Sequence, residues 1–200
     1  MNASSRRDLW TRYVAGKTPK NVHRDANPMA VHPTCRALAI KTILGIDPSL
    51  RGSGVAIVEK DNDGKFELKF SDVIQLCSAK WDLPHCLCII FKRLQEIIDR
   101  HKPDNVALEQ AIYVQNVKTA QIMGAVKGVI LTAVKLKDLE VREYPPLRVK
   151  QAISGYGHAT KEQVMRMVKA LLRLPENLPY DASDAAAVAL CHFFNLDRAG

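Results

Sequence analysis

The sequence predicts an α/β fold: one mixed sheet with an antiparallel hairpin at one side and helices on both faces. Two observations lead there. At 200 residues and 47% hydrophobic content, with no long Pro/Gly/Ser tract in its middle, the chain has the size and composition of one compact domain. Its periodic segments then run three strands, helix, strand, helix, strand, helices, an order that suits a mixed sheet covered by helices.

Each element has its own signal. Residues 1–40 carry Pro19, Pro28 and Pro33 and no sustained period, and read as a basic N-terminal extension outside a folded domain over 41–196. That extension is compatible with a transit peptide or with a flexible DNA-contacting arm, and Met29 offers a second start. From Thr42 the pattern is regular. Thr42–Asp47 reads as a buried strand, Pro48–Ser53 as a turn and Gly54–Glu59 as its antiparallel partner. Asp61–Gly64 makes a second turn before a third strand over Phe66–Leu76. Trp81–His101 places Leu87, Ile90, Phe91, Leu94, Ile97 and Ile98 at helical spacing and stops ahead of Pro103. A short strand, Val106–Glu109, precedes a long helix over Val117–Lys135, and a strand over Leu139–Tyr144 is closed by Pro145 and Pro146. Thr160-x-x-Gln163 has the form of a capping box, opening a helix to Leu174, and a last helix starts near Asp181.

Composition bounds the function. Of the net charge of +8, residues 1–41 hold +6, so the rest of the chain is nearly balanced. A local basic cluster (Arg142, Arg148, Lys150, Lys161, Arg166, Lys169, Arg173) suits phosphate contact, or equally a solvated helix face. The five cysteines contain no C-x-x-C pair, which argues against zinc or a dithiol, and Cys86 and Cys88 within an apolar run read as buried free thiols. No run of eighteen apolar residues is free of charge, so no membrane partner is expected and the location reads as cytoplasmic, with organelle targeting by the extension left open.

The chemistry lies in four acids. Asp47 and Glu109 each end an apolar strand, a costly place for a carboxylate unless a metal or partner satisfies it. On neighbouring strands they repel unless a divalent cation sits between them; the alternative is that each merely caps the next helix or meets water. Asp181 and Asp184 stand i, i+3 at a helix start, on one face, where the dipole also favours negative charge; taken alone, such a pair is more often an N-cap with a first-turn acid. Together the four make an oxygen-only site of the kind magnesium prefers, and two such ions roughly 4 Å apart serve phosphodiester hydrolysis. Lys150 and Lys161 supply charge to the phosphate.

The segments Ile43-Leu44-Gly45-Ile46-Asp47-Pro48 with Arg51 and Gly54, and Val106-Ala107-Leu108-Glu109-Gln110 with Asn116 and Gly128, resemble the first two acidic motifs of the RuvC family of Holliday junction resolvases. Further matches are Glu143-Tyr144-Pro145-Pro146, Val149-Lys150-Gln151, Gly155, Gly157, Ala159, Lys161, Gln163, Val164, Asp181-Ala182-Ser183-Asp184-Ala185 and His192. The resemblance spans about Thr42 to Phe194 and implies a ribonuclease H-like five-stranded sheet. It implies a homodimer that grips a four-way DNA junction and makes paired symmetrical nicks in recombination and repair, beside a branch-migration helicase. It carries over Asp47, Glu109, Asp181 and Asp184 as metal ligands for Mg2+, two per site with Mn2+ as a substitute, and Lys150 and Lys161 as catalytic phosphate contacts. Arg51, Tyr113, Asn116, Arg148 and His158 join the two lysines as expected DNA contacts; for His158 a plain surface-loop role competes. The sequence departs from the family at Ile112, where an aromatic is usual, leaving Tyr113 as the alternative wedge against junction bases. Two rivals remain: a non-catalytic junction-binding protein, and a ribonuclease H-like nuclease acting on other branched nucleic acid.

Overall fold

A computed structural model describes residues 40–49, 52–75, 82–110, 116–174 and 180–196, without the side chains of residues 180–182. The readings placed on residues 1–39, on Arg51, on Trp81 and on the Ile112–Tyr113 pair lie outside the described residues.

Five strands form one sheet: β1 (Thr42–Asp47), β2 (Gly52–Lys60), β3 (Phe66–Gln75), β4 (Asn105–Glu109) and β5 (Glu140–Tyr144). Their order is β3-β2-β1-β4-β5. β2 pairs antiparallel with β1 and β3, while β1–β4 and β4–β5 are parallel, so the sheet is mixed with the predicted meander at one side. β1 is central, and its interior, Ile43–Ile46, is apolar and buried, as suits a strand covered on both faces. β3, at the edge, alternates half-buried and exposed residues along its first half and sets Lys69 beside Glu59 and Glu67 on its open side. The β2–β3 turn closes where the Asp61 carboxylate accepts from the Asp63 and Lys65 amides, with Gly64 at a φ of 79° that glycine takes without strain.

Helices cover both faces. On one lie α1 (Leu83–His101) and α2 (Val117–Lys135), whose Ile90, Leu94, Ile97, Val126, Ile130 and Val134 pack on Leu44, Ile46, Val55, Ile57, Val106 and Leu108. On the other lie α3 (Pro146–Ser154), α4 (Lys161–Leu172) and α5 (Tyr180–Leu196), packed through Val149, Ile153, Val164, Val168 and the alanines of α5 onto Ile43, Ala56, Val58 and Ala107. Odd and even positions of β1, β2 and β4 thus feed separate cores.

The helix ends follow their sequence signals. Asp82 caps α1 by accepting from the His85 amide, and Lys102, in the left-handed conformation just ahead of Pro103, ends it. Thr160 and Gln163 form the complete capping box predicted for α4. Helix α3 is absent from the sequence reading, where Pro145 and Pro146 only closed a strand. Pro146 instead occupies the first helical turn, where its missing N–H costs nothing, and Gly155 at φ 77° ends the helix one residue past Ser154.

One smaller expectation is corrected. Cys88 is exposed and Cys86 only half-buried, because the core-facing stripe of α1 runs through Ile90 and Leu94; among the described residues the buried thiol is Cys191. By length and composition α2 is apolar enough to cross a membrane, although Lys118 and Lys127 interrupt its apolar run. Here it packs against α1 and the sheet, and its Lys127 Nζ donates to Glu143 of β5 at 2.6 Å.

Candidate active site

Register brings the first two acids together. Ile46 of β1 is level with Leu108 of β4, so the next residues, Asp47 and Glu109, end side by side at the carboxyl edge of two parallel central strands. That edge is where open α/β sheets place their ligand sites.

The third acid arrives on α5, and glycine decides how closely. A β-carbon at Gly45 would lie 2.0 Å from the Ala185 carbonyl oxygen and 2.9 Å from the Ala189 amide nitrogen, so backbone of α5 rests directly on β1 at that point. Ala185, Ala186, Ala187 and Ala189 are buried along the same helix, and their small side chains permit the close approach. One residue before Ala185, Asp184 faces the two strand-end acids.

Asp47, Glu109 and Asp184 line one cleft of about 190 Å3 together with Lys150, Lys161, Pro146, Val149, Val164 and Ala187. Lys150 comes from α3 and Lys161 from the first turn of α4, each on its own helix. Lys161 Nζ donates to Asp184 Oδ2 at 2.9 Å. Five of the six predicted catalytic residues thus meet in one cleft. The sixth, Asp181, stands in the first turn of α5, and its side chain lies outside the described residues.

The electrostatics report crowding of like charge. Burial, and then the neighbouring carboxylates of Asp47 and Asp184, push the Glu109 carboxyl up from 4.5 to about 7, with Lys161 and Lys150 pulling the other way. A carboxyl that resists ionising beside two others is the signature of a place built for an added cation. The donors are hard oxygens, which suit a divalent ion of the magnesium type. Among the described residues, no three His, Cys, Asp or Glu side chains form a ready-made ligand cage, and Lys161 holds Asp184 in an ion pair. The residues fit a divalent ion once that pair opens.

The expected DNA contacts divide. Asn116 caps α2, its Oδ1 accepting from the Thr119 amide, which leaves its amide nitrogen as the group able to donate outward. Arg148 is exposed but reaches Asn195 Oδ1 at 2.8 Å and does not line the cleft. His158 is exposed on the α3–α4 loop, with its ring against Tyr156.

A buried polar group that the sequence reading noted without a role is His192. The Tyr144 hydroxyl lies 2.6 Å from its Nδ1 and the Asn105 amide nitrogen 3.2 Å from its Nε2. Burial, and then the charge of Arg142, lower its pKa to about 4, so it is neutral near pH 7. With Asn105 donating to Nε2, Nδ1 carries the proton and donates to the Tyr144 oxygen. The imidazole therefore ties α5 to both β4 and β5 two turns beyond Asp184. Its sequence signals were its place on an alanine-rich helix and its match to the family, neither of which names its partners.

Comparison with known proteins agrees with this geometry. A family model described as Crossover junction endodeoxyribonuclease RuvC matches residues 43–192. The protein of that description from Finegoldia magna is 41% identical over 153 residues, covering 76% of this chain and 92% of its own. That from Nitrosomonas eutropha is 43% identical over 150 residues, covering 75% and 83%. The structure of Thermus thermophilus RuvC in complex with a Holliday junction substrate is similar at a TM-score of 0.74 and 31% identity, covering 80% of this chain and 96% of that one. The family match spans β1 to α5, including every acid of the cleft, and the chain belongs to the RuvC family of crossover junction endodeoxyribonucleases.

Proposed function

We propose that this protein resolves Holliday junctions, cutting two strands of a four-way DNA junction by phosphodiester hydrolysis in recombination and repair. The observation that carries the reading is the convergence of Asp47, Glu109, Asp184, Lys150 and Lys161 on one cleft at the carboxyl edge of β1 and β4.

Membership of the family implies catalysis that depends on a divalent metal. In our reading Asp47, Glu109 and Asp184, with Asp181, hold two Mg2+ ions per site, for which Mn2+ substitutes. Bound there, the ions supply Lewis-acid activation of a water and of the scissile phosphate. The chain's own residues do the rest. Glu109, deprotonated, and Asp184, released from Lys161, would be among the groups that hold the metal, and Lys150 and Lys161 would take up the negative charge of the phosphate. Arg51, Asn116, Arg148, His158 and Tyr113 are proposed to contact DNA as well.

Paired nicks call for two sites related by a two-fold axis, so the active species is proposed to be a homodimer. Helix α2 supports this, since it exposes Val117, Ala120, Gly124 and Gly128 at successive turns, and a β-carbon at either glycine would meet nothing within 4 Å. A branch-migration helicase complex is the proposed partner and the bacterial cytoplasm the proposed location, in keeping with the bacterial relatives.

Nicking of labelled four-way junction, three-way junction, flap and plain duplex by the full chain in magnesium tests the reading. Symmetrical paired nicks at least 10-fold faster in the four-way junction are expected. Equal cutting of duplex contradicts junction selectivity, and junction binding with no cutting in magnesium or manganese points to the non-catalytic alternative.

A further inference from the structure

Between the two lysines of the cleft, in sequence, runs a six-residue loop, residues 155–160, that joins α3 to α4. Its middle exposes a large aromatic ring. Tyr156 is 62% exposed, beside Leu147 at 56%. Solvated tyrosines on mobile loops are unremarkable, but this one sits on a tightly tied loop.

Ser154 Oγ lies 2.7 Å from the Lys150 carbonyl oxygen and 3.0 Å from that of Tyr156, and 3.4 Å from the Tyr156 amide nitrogen. The Ala159 amide also donates to the Tyr156 carbonyl, at 3.2 Å. Gly155 takes the left-handed turn that starts the loop. Gly157 packs closely on α3, since a β-carbon there would stand 3.3 Å from the Leu147 carbonyl oxygen. Ala159 is buried in the core, and the capping box at Thr160 fixes the far end one residue before Lys161. The ring of His158 lies against that of Tyr156 at 5.6 Å between centroids and 58°.

An exposed aromatic ring on a tied loop, which joins the two helices that bring Lys150 and Lys161 to the cleft, has what a base-stacking platform needs: a π-face on a preorganised backbone and phosphate-binding cations on the adjoining elements. We propose that Tyr156, supported by His158, stacks against a nucleobase next to the scissile phosphate and so helps to choose where the strand is cut. The inference rests on the nuclease reading of the cleft; it adds a base-binding subsite on the α3–α4 loop. Lys150 and Lys161 hold the backbone of the nucleotide whose neighbour's base lies on the ring.

The test is a binding measurement that needs no cleavage, so it fails separately from the nicking assay. Wild type, Tyr156→Ala and Tyr156→Phe are titrated by fluorescence anisotropy, in EDTA at fixed salt, against a four-way junction. A matching set of junctions carries a single abasic site at each nucleotide flanking the exchange point. One abasic position is expected to weaken wild-type and Tyr156→Phe binding about 5- to 100-fold, the usual worth of a base–aromatic stack. Tyr156→Ala should show that loss already on the intact junction and lose no more at that abasic position, the non-additivity of two partners in one contact. The proposal is overturned if Tyr156→Ala binds the intact junction as wild type does. It is equally overturned if the alanine loss simply adds to the abasic loss at every position, as a general effect on folding or charge would.

Discussion

Glu109→Gln is expected to abolish nicking and, at the same time, to make the metal-free protein harder to unfold above pH 7. The two effects share one cause. In the folded protein the Glu109 carboxyl is pushed up to about 7 by burial and by Asp47 and Asp184. In the unfolded chain it titrates near 4.5. Folding therefore favours the protonated form. Stability is unaffected by this group below about pH 4.5, falls as pH rises from there to about 7, and above 7 carries the full penalty of the charge. At about 1.4 kcal/mol per pH unit, reduced because the carboxyl is only partly buried and solvent screens it, that penalty is roughly 1–2 kcal/mol. Glutamine keeps the shape and removes the charge. Thermal unfolding in EDTA at pH 8 should show the variant melting about 3–6 °C higher, with the advantage vanishing at pH 4. Added magnesium should stabilise the wild type more than the variant, since a ligand that binds only the folded state stabilises it. Nicking should fall on the order of 1,000-fold or more, about 4 kcal/mol of transition-state stabilisation. A variant that melts lower at pH 8, or that still nicks, contradicts the crowded-carboxylate account.

Gly45→Ala is the second large effect, and it acts from the floor of the site. The added methyl meets the Ala185 carbonyl oxygen at 2.0 Å, an atom of helix backbone that no rotamer change can move aside. Helix α5 must lift from β1. A cost of about 3 kcal/mol or more follows, at the upper end of overpacking in a core. Urea unfolding should register it as a lower midpoint with an unchanged slope. Where the variant is still folded, nicking should be lost more steeply than junction binding, because Asp184 rides on the displaced helix and misplacement by about 1 Å costs on the order of 100-fold. Wild-type stability and nicking in this variant would mean that α5 does not rest on Gly45.

These two residues also mark how far the sequence could be read. The acids were legible because a carboxylate closing an apolar strand is conspicuous, and strand adjacency then put Asp47 beside Glu109. The four-acid order and the two lysines carried the family, and with it the sheet. What stayed hidden depends on contacts between distant segments. Gly45 reads as one more small residue in a strand until α5 is laid on it. Helix α3, which carries Lys150 into the cleft, was masked by two prolines that read as a stop when the second is a start. His192 gave no hint of Tyr144 and Asn105, which are 48 and 87 residues away in the chain. The ion pair between Lys161 and Asp184 was equally unreadable, since the sequence suggests phosphate for the one and metal for the other, and their contact spans 23 residues of chain.

The central claim is that the carboxylate cleft cuts junction DNA. It is tested most directly by mapping nicks in a synthetic four-way junction made by wild type, Asp47→Asn and Asp184→Asn in magnesium, with binding of each measured in parallel. The account predicts symmetrical paired nicks by wild type, none by either variant, and junction affinity in both variants at least that of wild type. Nicking that survives either substitution would place the chemistry outside this cleft.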